Sequence, residues 1–125
     1  MTAFRAVVLE HFKHPRNRGP LEGANASADG ANPLCGDRVR VQLSLIDGVV
    51  VDARFTADAC ALCIASASVM TDHVRGMSVD DALRVEVDVI HRALEGEPPV
   101  GRLKCTILPL DTLRRALSKP RDGSS

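Results

Sequence analysis

Four cysteines and one aspartate are the side chains of this sequence best suited to chemistry. The cysteines occupy positions 35, 60, 63 and 105. Asp37 follows Cys35 in the segment NPLCGD at residues 32–37. Pro33 stiffens this loop and Gly36 permits an unusual backbone angle, so the Asp37 carboxylate can turn toward the Cys35 sulfur. Three thiolates and a carboxylate would satisfy a four-coordinate zinc ion, and the same donors could hold a [2Fe–2S] cluster.

Cys60 and Cys105 share one feature, since each directly precedes a segment that the sequence predicts to be a helix. The unpaired N–H groups and the positive dipole end of a helix start favour a thiolate. Lys104 adds a neighbouring positive charge. Two thiols at helix starts and a third on a loop could converge on one rim of the domain. The predicted metal–sulfur site consists of Cys35, Asp37, Cys60 and Cys105.

Asp37 indicates what such a site would do. Stable clusters are ordinarily held by four thiolates, so a hard oxygen donor leaves one corner of a cluster weak. A weak corner suits a cluster that must be handed on to another protein. In the aerobically isolated protein we expect zinc, because soft thiolates select zinc and zinc survives oxygen.

Cys63 forms a Cys-Ala-Leu-Cys motif with Cys60 that superficially matches a redox motif. A thioredoxin-type motif lies in a βαβ unit, and the sequence shows no parallel βαβ pattern. The apolar neighbours of Cys63 favour a small buried packing residue over a reserve ligand or a redox partner. A structural-zinc interaction module is a further alternative: its closed site should have inert thiols, whereas a sulfur acceptor must expose one.

The four histidines contribute less to the predicted site. None of them is followed two residues later by glutamate, which excludes the His-x-Glu motif of zinc deaminases. His11 and His14 are spaced to ligate a metal, but their charged neighbours favour a solvated helix face. His73 and His91 are expected on solvated or half-buried faces of helices.

The composition limits the classes of function. A chain of 125 residues with 45% hydrophobic content fits one domain over residues 1–125, and the 2% aromatic content implies an aliphatic core. The 16 basic and 16 acidic residues balance, which argues against nucleic acid as a partner. The N-terminus lacks a signal-peptide pattern, and no apolar run reaches the roughly 20 residues of a membrane span. We therefore expect a cytoplasmic protein with reduced thiols that is monomeric when free.

Hydrophobic periodicity predicts an α+β domain with helices packed on an antiparallel sheet. Alternation over 38–45 predicts one strand, Asp47-Gly48 predicts a tight hairpin turn after it, and 49–55 is predicted to return as the partner strand. One edge strand is expected in the loop-rich stretch 19–36. The predicted helices cover 2–14 with one buried stripe, 61–76, 78–94 with Ser78 as N-cap, and about 106 to 119 with Pro109 in its first turn, before a flexible tail at 120–125.

Four segments resemble, in order and over nearly the whole chain, the iron–sulfur cluster assembly scaffold family of IscU, SufU and the N-terminal domain of NifU. They are HFKHPRNRG, NPLCGD, VVVDARFTADACALCIASASVMTD and GRLKCTILPLDTLRRAL. The resemblance implies a three-stranded antiparallel sheet with packed helices. It also implies that zinc, iron or a [2Fe–2S] cluster binds at Cys35, Asp37, Cys60 and Cys105. A cysteine desulfurase would supply sulfur, and apo-proteins or a carrier would receive the product.

The resemblance leaves two branches of the family open. IscU-type scaffolds carry a histidine before the last cysteine, whereas this chain has Lys104, as SufU-type proteins do. The spacing between Cys60 and Cys105 is nevertheless of IscU-like length. A cluster-building scaffold and a zinc-dependent sulfur acceptor that builds no cluster are therefore both implied. The SufU-like Arg102-x-Lys104-Cys105 segment favours Cys35, on its loop, as the sulfur acceptor, whereas an IscU-like mechanism would favour Cys105.

Overall fold

A three-stranded antiparallel sheet forms the centre of the computed structural model, which describes residues 3–34 and 36–118. The strands follow one another in the order β1-β2-β3 and helices pack on one face, which confirms the predicted α+β class. The elements are α1 (Ala3–Lys13), β1 (Ala26–Asn32), β2 (Asp37–Ile46), β3 (Val49–Asp58), α2 (Ala61–Val74), α3 (Val79–Leu83), α4 (Val87–Ala93), a 3-10 turn (Val100–Arg102) and α5 (Leu103–Ser118). Cys35 and the tail predicted to be flexible lie outside the described residues.

The β2–β3 hairpin forms where the sequence predicts it. Asp47 and Gly48 have φ of 52° and 75°, the positive angles of a primed turn whose twist matches that of paired strands. Burial alternates along β2, where Val39, Val41 and Leu43 face the core at no more than 3% exposure. The helices thus cover one face of the sheet, and the other face carries mainly polar side chains.

Helices α2 and α5 form the layer over the buried face. Helix α2 is buried along most of its length, from Leu62 to Thr71. Helix α5 packs against β1, β2 and α2. At Gly30 in β1, the absence of a side chain lets the Thr112 hydroxyl of α5 approach the strand, because an added Cβ would collide with it. A glycine therefore sets the distance between the sheet and α5.

Two short helices replace the single helix predicted over 78–94. Ser78 caps α3 as predicted, since its hydroxyl accepts a hydrogen bond from the Asp81 amide at 3.0 Å. Helix α3 ends at Leu83, and Val85 then enters the core at 6% exposure before α4 begins. Glu86 is extended, with φ −104° and ψ 161°. β-branched valines weaken the helix propensity of this stretch, so burial of Val85 prevails over helix continuity.

Helices α1 and α5 also differ from the predictions. The predicted stripe of α1 is only partly buried, with Phe12 41% exposed, because α1 packs mainly against α2. Helix α5 begins at Leu103, earlier than predicted, because the 3-10 turn leads directly into it. Pro109 lies in the helix interior rather than in the first turn, and it offers no N–H to the Cys105 carbonyl one turn earlier. Within residues 3–34 and 36–118, no helix is both long and apolar enough to cross a bilayer.

We predict that Gly30→Ala lowers the free energy of unfolding by about 1–3 kcal/mol, because the new methyl group collides with Thr112. Denaturant unfolding followed by circular dichroism measures the change. The double variant Gly30→Ala/Thr112→Ala should recover part of the loss. Gly101→Ala is the matched control, because an added Cβ there meets open space. An equal loss in the control would show that the collision is not the cause.

Candidate metal centre

Three elements that are distant in sequence meet at one end of the sheet. Asp37 is the first residue of β2, Cys60 is the N-cap of α2 and Cys105 lies in the first turn of α5. Their ligand atoms, one carboxylate oxygen and two sulfurs, lie within 4.8 Å of one another. Asp37 and Cys105 are each 5% exposed, and Cys60 is partly exposed. The structure thus brings together three of the four residues predicted to bind a metal.

The fourth predicted ligand, Cys35, lies outside the described residues, but its neighbours define a turn. Asn32 pairs with Asp37 at the end of the β1–β2 ladder. The Gly36 amide donates a hydrogen bond to the Asn32 carbonyl at 2.8 Å, and Gly36 has φ of 76°. This positive angle is the unusual backbone conformation predicted for Gly36. The described residues on both sides of position 35 therefore belong to a turn that ends at Asp37.

The Asp37 carboxylate makes two contacts with Cys60. Its Oδ1 accepts a hydrogen bond from the Cys60 amide at 3.0 Å, and its Oδ2 lies 3.5 Å from the Cys60 sulfur. Because one oxygen is held by the backbone of α2, the other is oriented toward the sulfur. The protein itself therefore aims this carboxylate at the thiols.

Cys60 occupies the start of α2, as predicted. Its backbone is extended, with φ −69° and ψ 164°, and its sulfur accepts a hydrogen bond from the Cys63 amide at 3.5 Å. The Cys60 sulfur also lies 3.5 Å from the Cys105 sulfur. Two sulfurs that each lie about 2.3 Å from a shared zinc ion cannot be more than about 4.6 Å apart. The observed separation of the sulfurs is therefore compatible with a shared ion.

The position of Cys105 corrects one prediction. Cys105 lies inside α5 rather than before it, because α5 begins two residues earlier, at Leu103. Burial raises the pKa of the Cys105 thiol, a hydrogen bond from Arg102 opposes this, and the neighbouring Cys60 raises it further. The predicted stabilisation of a Cys105 thiolate by a helix start is therefore outweighed by desolvation in the metal-free protein.

Arg102 is the site residue that the sequence analysis missed. Its guanidinium donates a hydrogen bond to the Cys60 sulfur at 3.3 Å. Hydrogen bonds to the sulfurs of Cys105 and Cys60 raise the pKa of Arg102 well above its usual range. Lys104, which was expected to supply the positive charge, is exposed. The available signal was spacing: Arg102 precedes Cys105 by three residues, and helical residues three apart are neighbours.

Within the described ranges, no histidine joins the group of ligand atoms. His11 links α1 to α2, with its Nδ1 2.7 Å from the Ser68 hydroxyl, and burial lowers the pKa of this imidazole. His14 and His73 are exposed, as predicted. His91 is instead buried, and its Nε2 lies 3.0 Å from the Thr106 hydroxyl. The prediction for His91 was wrong because α4 packs this face against α5.

The fold and the site define a small α+β protein with thiols and a carboxylate gathered at one end of its sheet. The chain belongs to the NifU-like N-terminal domain family, whose model matches residues 3–122. This match confirms the resemblance found in the sequence, and the family is one of iron–sulfur cluster assembly scaffolds.

Two relatives and one solved structure illustrate the family. The chain is 36% identical over 121 residues to the iron–sulfur cluster assembly scaffold protein IscU of Escherichia coli, covering 93% of this chain and 92% of that protein. It is 31% identical over 140 residues to the zinc-dependent sulfurtransferase SufU of Bacillus subtilis, covering 98% and 95%. The crystal structure of a NifU-like N-terminal protein from Brucella abortus matches with a TM-score of 0.71 and 31% identity, covering 89% of each chain.

In the metal-free protein, Arg102→Gln should raise the pKa of the Cys105 thiol further, because the hydrogen bond from Arg102 is what lowers it. A raised pKa leaves less thiolate, so alkylation of Cys105 by iodoacetamide at about pH 8 should slow severalfold. Peptide mass spectrometry measures this rate. Lys104→Gln removes the same charge from an exposed neighbour and should leave the rate nearly unchanged. Equal slowing in both variants would assign the effect to net charge instead of the Arg102 contact.

Proposed function

We propose that this protein is an iron–sulfur cluster assembly scaffold that accepts sulfur from a cysteine desulfurase and binds iron or a [2Fe–2S] cluster for transfer to apo-proteins. The observation that carries the proposal is the cluster of ligand atoms from Asp37, Cys60 and Cys105, all within 4.8 Å of one another. Membership of the NifU-like family supports it. A carboxylate among sulfur ligands is the donor set of a cluster that can be released.

The donor chemistry of the site fits zinc as well as a cluster. Cys35 is the proposed fourth ligand beside Asp37, Cys60 and Cys105, since three thiolates and one carboxylate complete a four-coordinate site. Zinc bound there would hold these cysteines as thiolates, and its charge would counteract the burial that raises the pKa of Cys105. Zinc is the proposed resident ion of the isolated protein, and iron or the cluster is its cargo.

The setting of this function is part of the proposal. Residues 1–125 act as one scaffold domain in the cytoplasm, where the thiols stay reduced. The free protein is a monomer, and its partners are the desulfurase and the recipient apo-proteins or a carrier. Nucleic acid and membranes have no proposed role.

A second candidate is a zinc-dependent sulfur shuttle that builds no cluster. Arg102 favours it, because a cation hydrogen-bonded to the Cys60 sulfur stabilises a thiolate or persulfide without needing iron. The similarity to Bacillus subtilis SufU, over 98% of this chain, supports it too. The two functions differ in one respect: the shuttle accepts sulfur but does not assemble a cluster from iron and sulfide.

In either function Cys35 is the proposed sulfur acceptor. The Cys35 thiolate attacks the terminal sulfur of the desulfurase persulfide, a new S–S bond forms on Cys35, and the desulfurase cysteine leaves as a thiolate. Cys60 and Cys105 are held by α2 and α5, so moving either sulfur by several ångströms toward a partner protein would disturb packed backbone. Cys35 instead adjoins Gly36, where backbone rotation costs little.

The acceptor is tested by incubating Cys→Ser variants at positions 35, 60 and 105 with a cysteine desulfurase and cysteine. Serine keeps the size but is a poor sulfur nucleophile, so only Cys35→Ser should fail to take up sulfur, which mass spectrometry detects as persulfide and the methylene-blue assay detects as released sulfide. Zinc content and circular dichroism show whether each variant keeps its site and fold. Persulfide on Cys105 of a folded Cys35→Ser protein would contradict the assignment. A wild type that yields neither persulfide nor sulfide would favour a structural zinc module.

The role of Asp37 is tested by its removal. Asp37→Ala should lengthen the lifetime of a reconstituted [2Fe–2S] cluster and slow its transfer, because the carboxylate is the weak corner; visible absorption follows both. Asp37 also accepts a hydrogen bond from the Cys60 amide, so Asp37→Asn is the matched variant that retains an oxygen for this bond. We expect both variants to lengthen the lifetime of the cluster. Failure of both to assemble one would show that the carboxylate is a required ligand.

A further inference from the structure

The function proposed above leaves one thiol without a task, Cys63, which lies three residues after Cys60 at the start of α2. The ligand group contains the sulfurs of Cys60 and Cys105 but not that of Cys63. The Cys63 amide nevertheless donates a hydrogen bond to the Cys60 sulfur at 3.5 Å. The backbone of Cys63 is therefore in contact with the sulfur of Cys60, and both residues are present as thiols.

The positions of these two cysteines allow a disulfide between them. Cys60 is extended and lies just before the helix, and its sulfur lies 3.5 Å from the Cys63 backbone nitrogen, which brings it near the Cys63 side chain. A disulfide needs Cα atoms about 4.4–6.8 Å apart and Cβ atoms about 3.5–4.5 Å apart. Cys60 is the N-cap, outside the first helical turn, so its side chain can rotate without breaking the helix. Bond formation thus requires movement of Cys60 alone, by side-chain rotation and a small shift of the N-cap backbone.

The exposure of the two thiols is unequal. Cys60 is partly exposed, whereas Cys63 is 0% exposed and lies within the hydrophobic core. An external sulfur compound can reach Cys60 but not Cys63. Such a pair consists of an outer thiol that reacts with a partner and an inner thiol that reacts only with the outer one.

A sulfur acceptor that serves cluster assembly has a chemical need that this pair can meet. Sulfur arrives as a persulfide, in which the transferred atom is formally S(0), whereas a cluster contains sulfide, S(2−). Each sulfur atom therefore requires two electrons. Two thiols that form one disulfide release two electrons.

We propose that Cys63 reductively releases sulfide from a persulfide carried by Cys60. The persulfide reaches Cys60 by exchange: the Cys60 thiolate attacks the outer sulfur on Cys35, and Cys35 leaves as a thiolate. This inference therefore rests on the proposed sulfur-acceptor function. The Cys63 sulfur attacks Cys60 Sγ, a Cys60–Cys63 disulfide forms, and the bond from Cys60 Sγ to the outer sulfur breaks. The outer sulfur leaves with the bonding electron pair and takes the proton of Cys63. A dithiol reductant then restores both thiols for another turnover.

Cys105 is the competing thiol, because its sulfur lies 3.5 Å from that of Cys60. A Cys60–Cys105 disulfide would consume two metal ligands at once and would join α2 to α5. A Cys60–Cys63 disulfide consumes one ligand and lies within a single helix turn. The reaction through Cys63 therefore leaves Asp37 and Cys105 in place to hold metal.

The test is a single turnover without added reductant. Reduced, zinc-loaded protein is freed of reductant under argon and treated with a cysteine desulfurase and one equivalent of cysteine. We expect about one sulfide per chain, measured as methylene blue, and a Cys60–Cys63 disulfide mapped by peptide mass spectrometry. In Cys63→Ala, sulfide should fall at least tenfold and the persulfide should accumulate. Ser66→Ala is the matched control, since it also removes one buried heavy atom from α2 and leaves the thiols intact.

The remaining outcomes distinguish failure of the role proposed for Cys63 from failure of the proposed sulfur-acceptor function. A persulfide that persists equally in the wild type and in Cys63→Ala overturns the role of Cys63 and leaves the acceptor function standing. A disulfide mapped to Cys60 and Cys105 also overturns it. If no variant acquires a persulfide, the acceptor function itself fails. The disulfide map of the wild type decides the question even if Cys63→Ala does not fold.

Discussion

The hydrogen bond from the Cys60 amide to the Asp37 carboxylate joins the two structural layers at the site. Asp37 belongs to the sheet and Cys60 to the helical layer, and this bond, 3.0 Å long, connects the first residue of β2 to the N-cap of α2. A hydrogen bond to a charged group contributes about 1.5–3 kcal/mol. Asp37 is only 5% exposed, so loss of this hydrogen bond would also leave its carboxylate buried without the Cys60 N–H donor. The Cys60 sulfur keeps its contacts with Cys105 and Arg102 because its own backbone is held in this way.

Desolvation and one cation act in opposite directions on the thiols. Burial raises the pKa of Cys105, and the hydrogen bond from Arg102 lowers it. Burial is the larger effect, so Cys105 of the metal-free protein keeps its proton to a higher pH than a free cysteine does. A metal ion bound at the proposed site would have to displace that proton, so its affinity would increase with pH. Arg102 reduces the free-energy cost of removing the Cys105 proton. Because Arg102 is exposed, salt and binding partners can weaken its effect on the pKa of that thiol.

Features that depend on local chemistry could be predicted from the sequence. Asp47-Gly48 predicts its turn because two adjacent residues must both take positive φ, and Ser78 predicts its cap because the hydroxyl reaches an amide three residues away. The break after Leu83 could not be predicted in the same way, since it depends on the core accepting Val85. The burial of His91 depends likewise on α5, a partner distant in sequence.

In the predicted site, too, features set by neighbouring residues could be predicted and features set by distant parts of the chain could not. The setting of Cys60 before a helix is local, and the structure agrees with it. Cys105 was predicted directly before its helix and instead lies in the first turn of α5, because the 3-10 turn that leads into α5 has no strong sequence signal. Arg102 was overlooked in favour of Lys104, although proximity along a helix follows a spacing of three or four residues rather than one.

The separation of the ligands along the chain has a consequence for biosynthesis. Cys60 lies 23 residues after Asp37 and 45 residues before Cys105, so the donor group exists only when α5 has docked on the sheet. A ribosome-bound chain that has not yet released α5 lacks Cys105 at the site, and closing such long loops costs entropy that folding must offset. A metal ion that needs the Cys105 sulfur would therefore bind at the proposed site only after α5 has been translated and has docked.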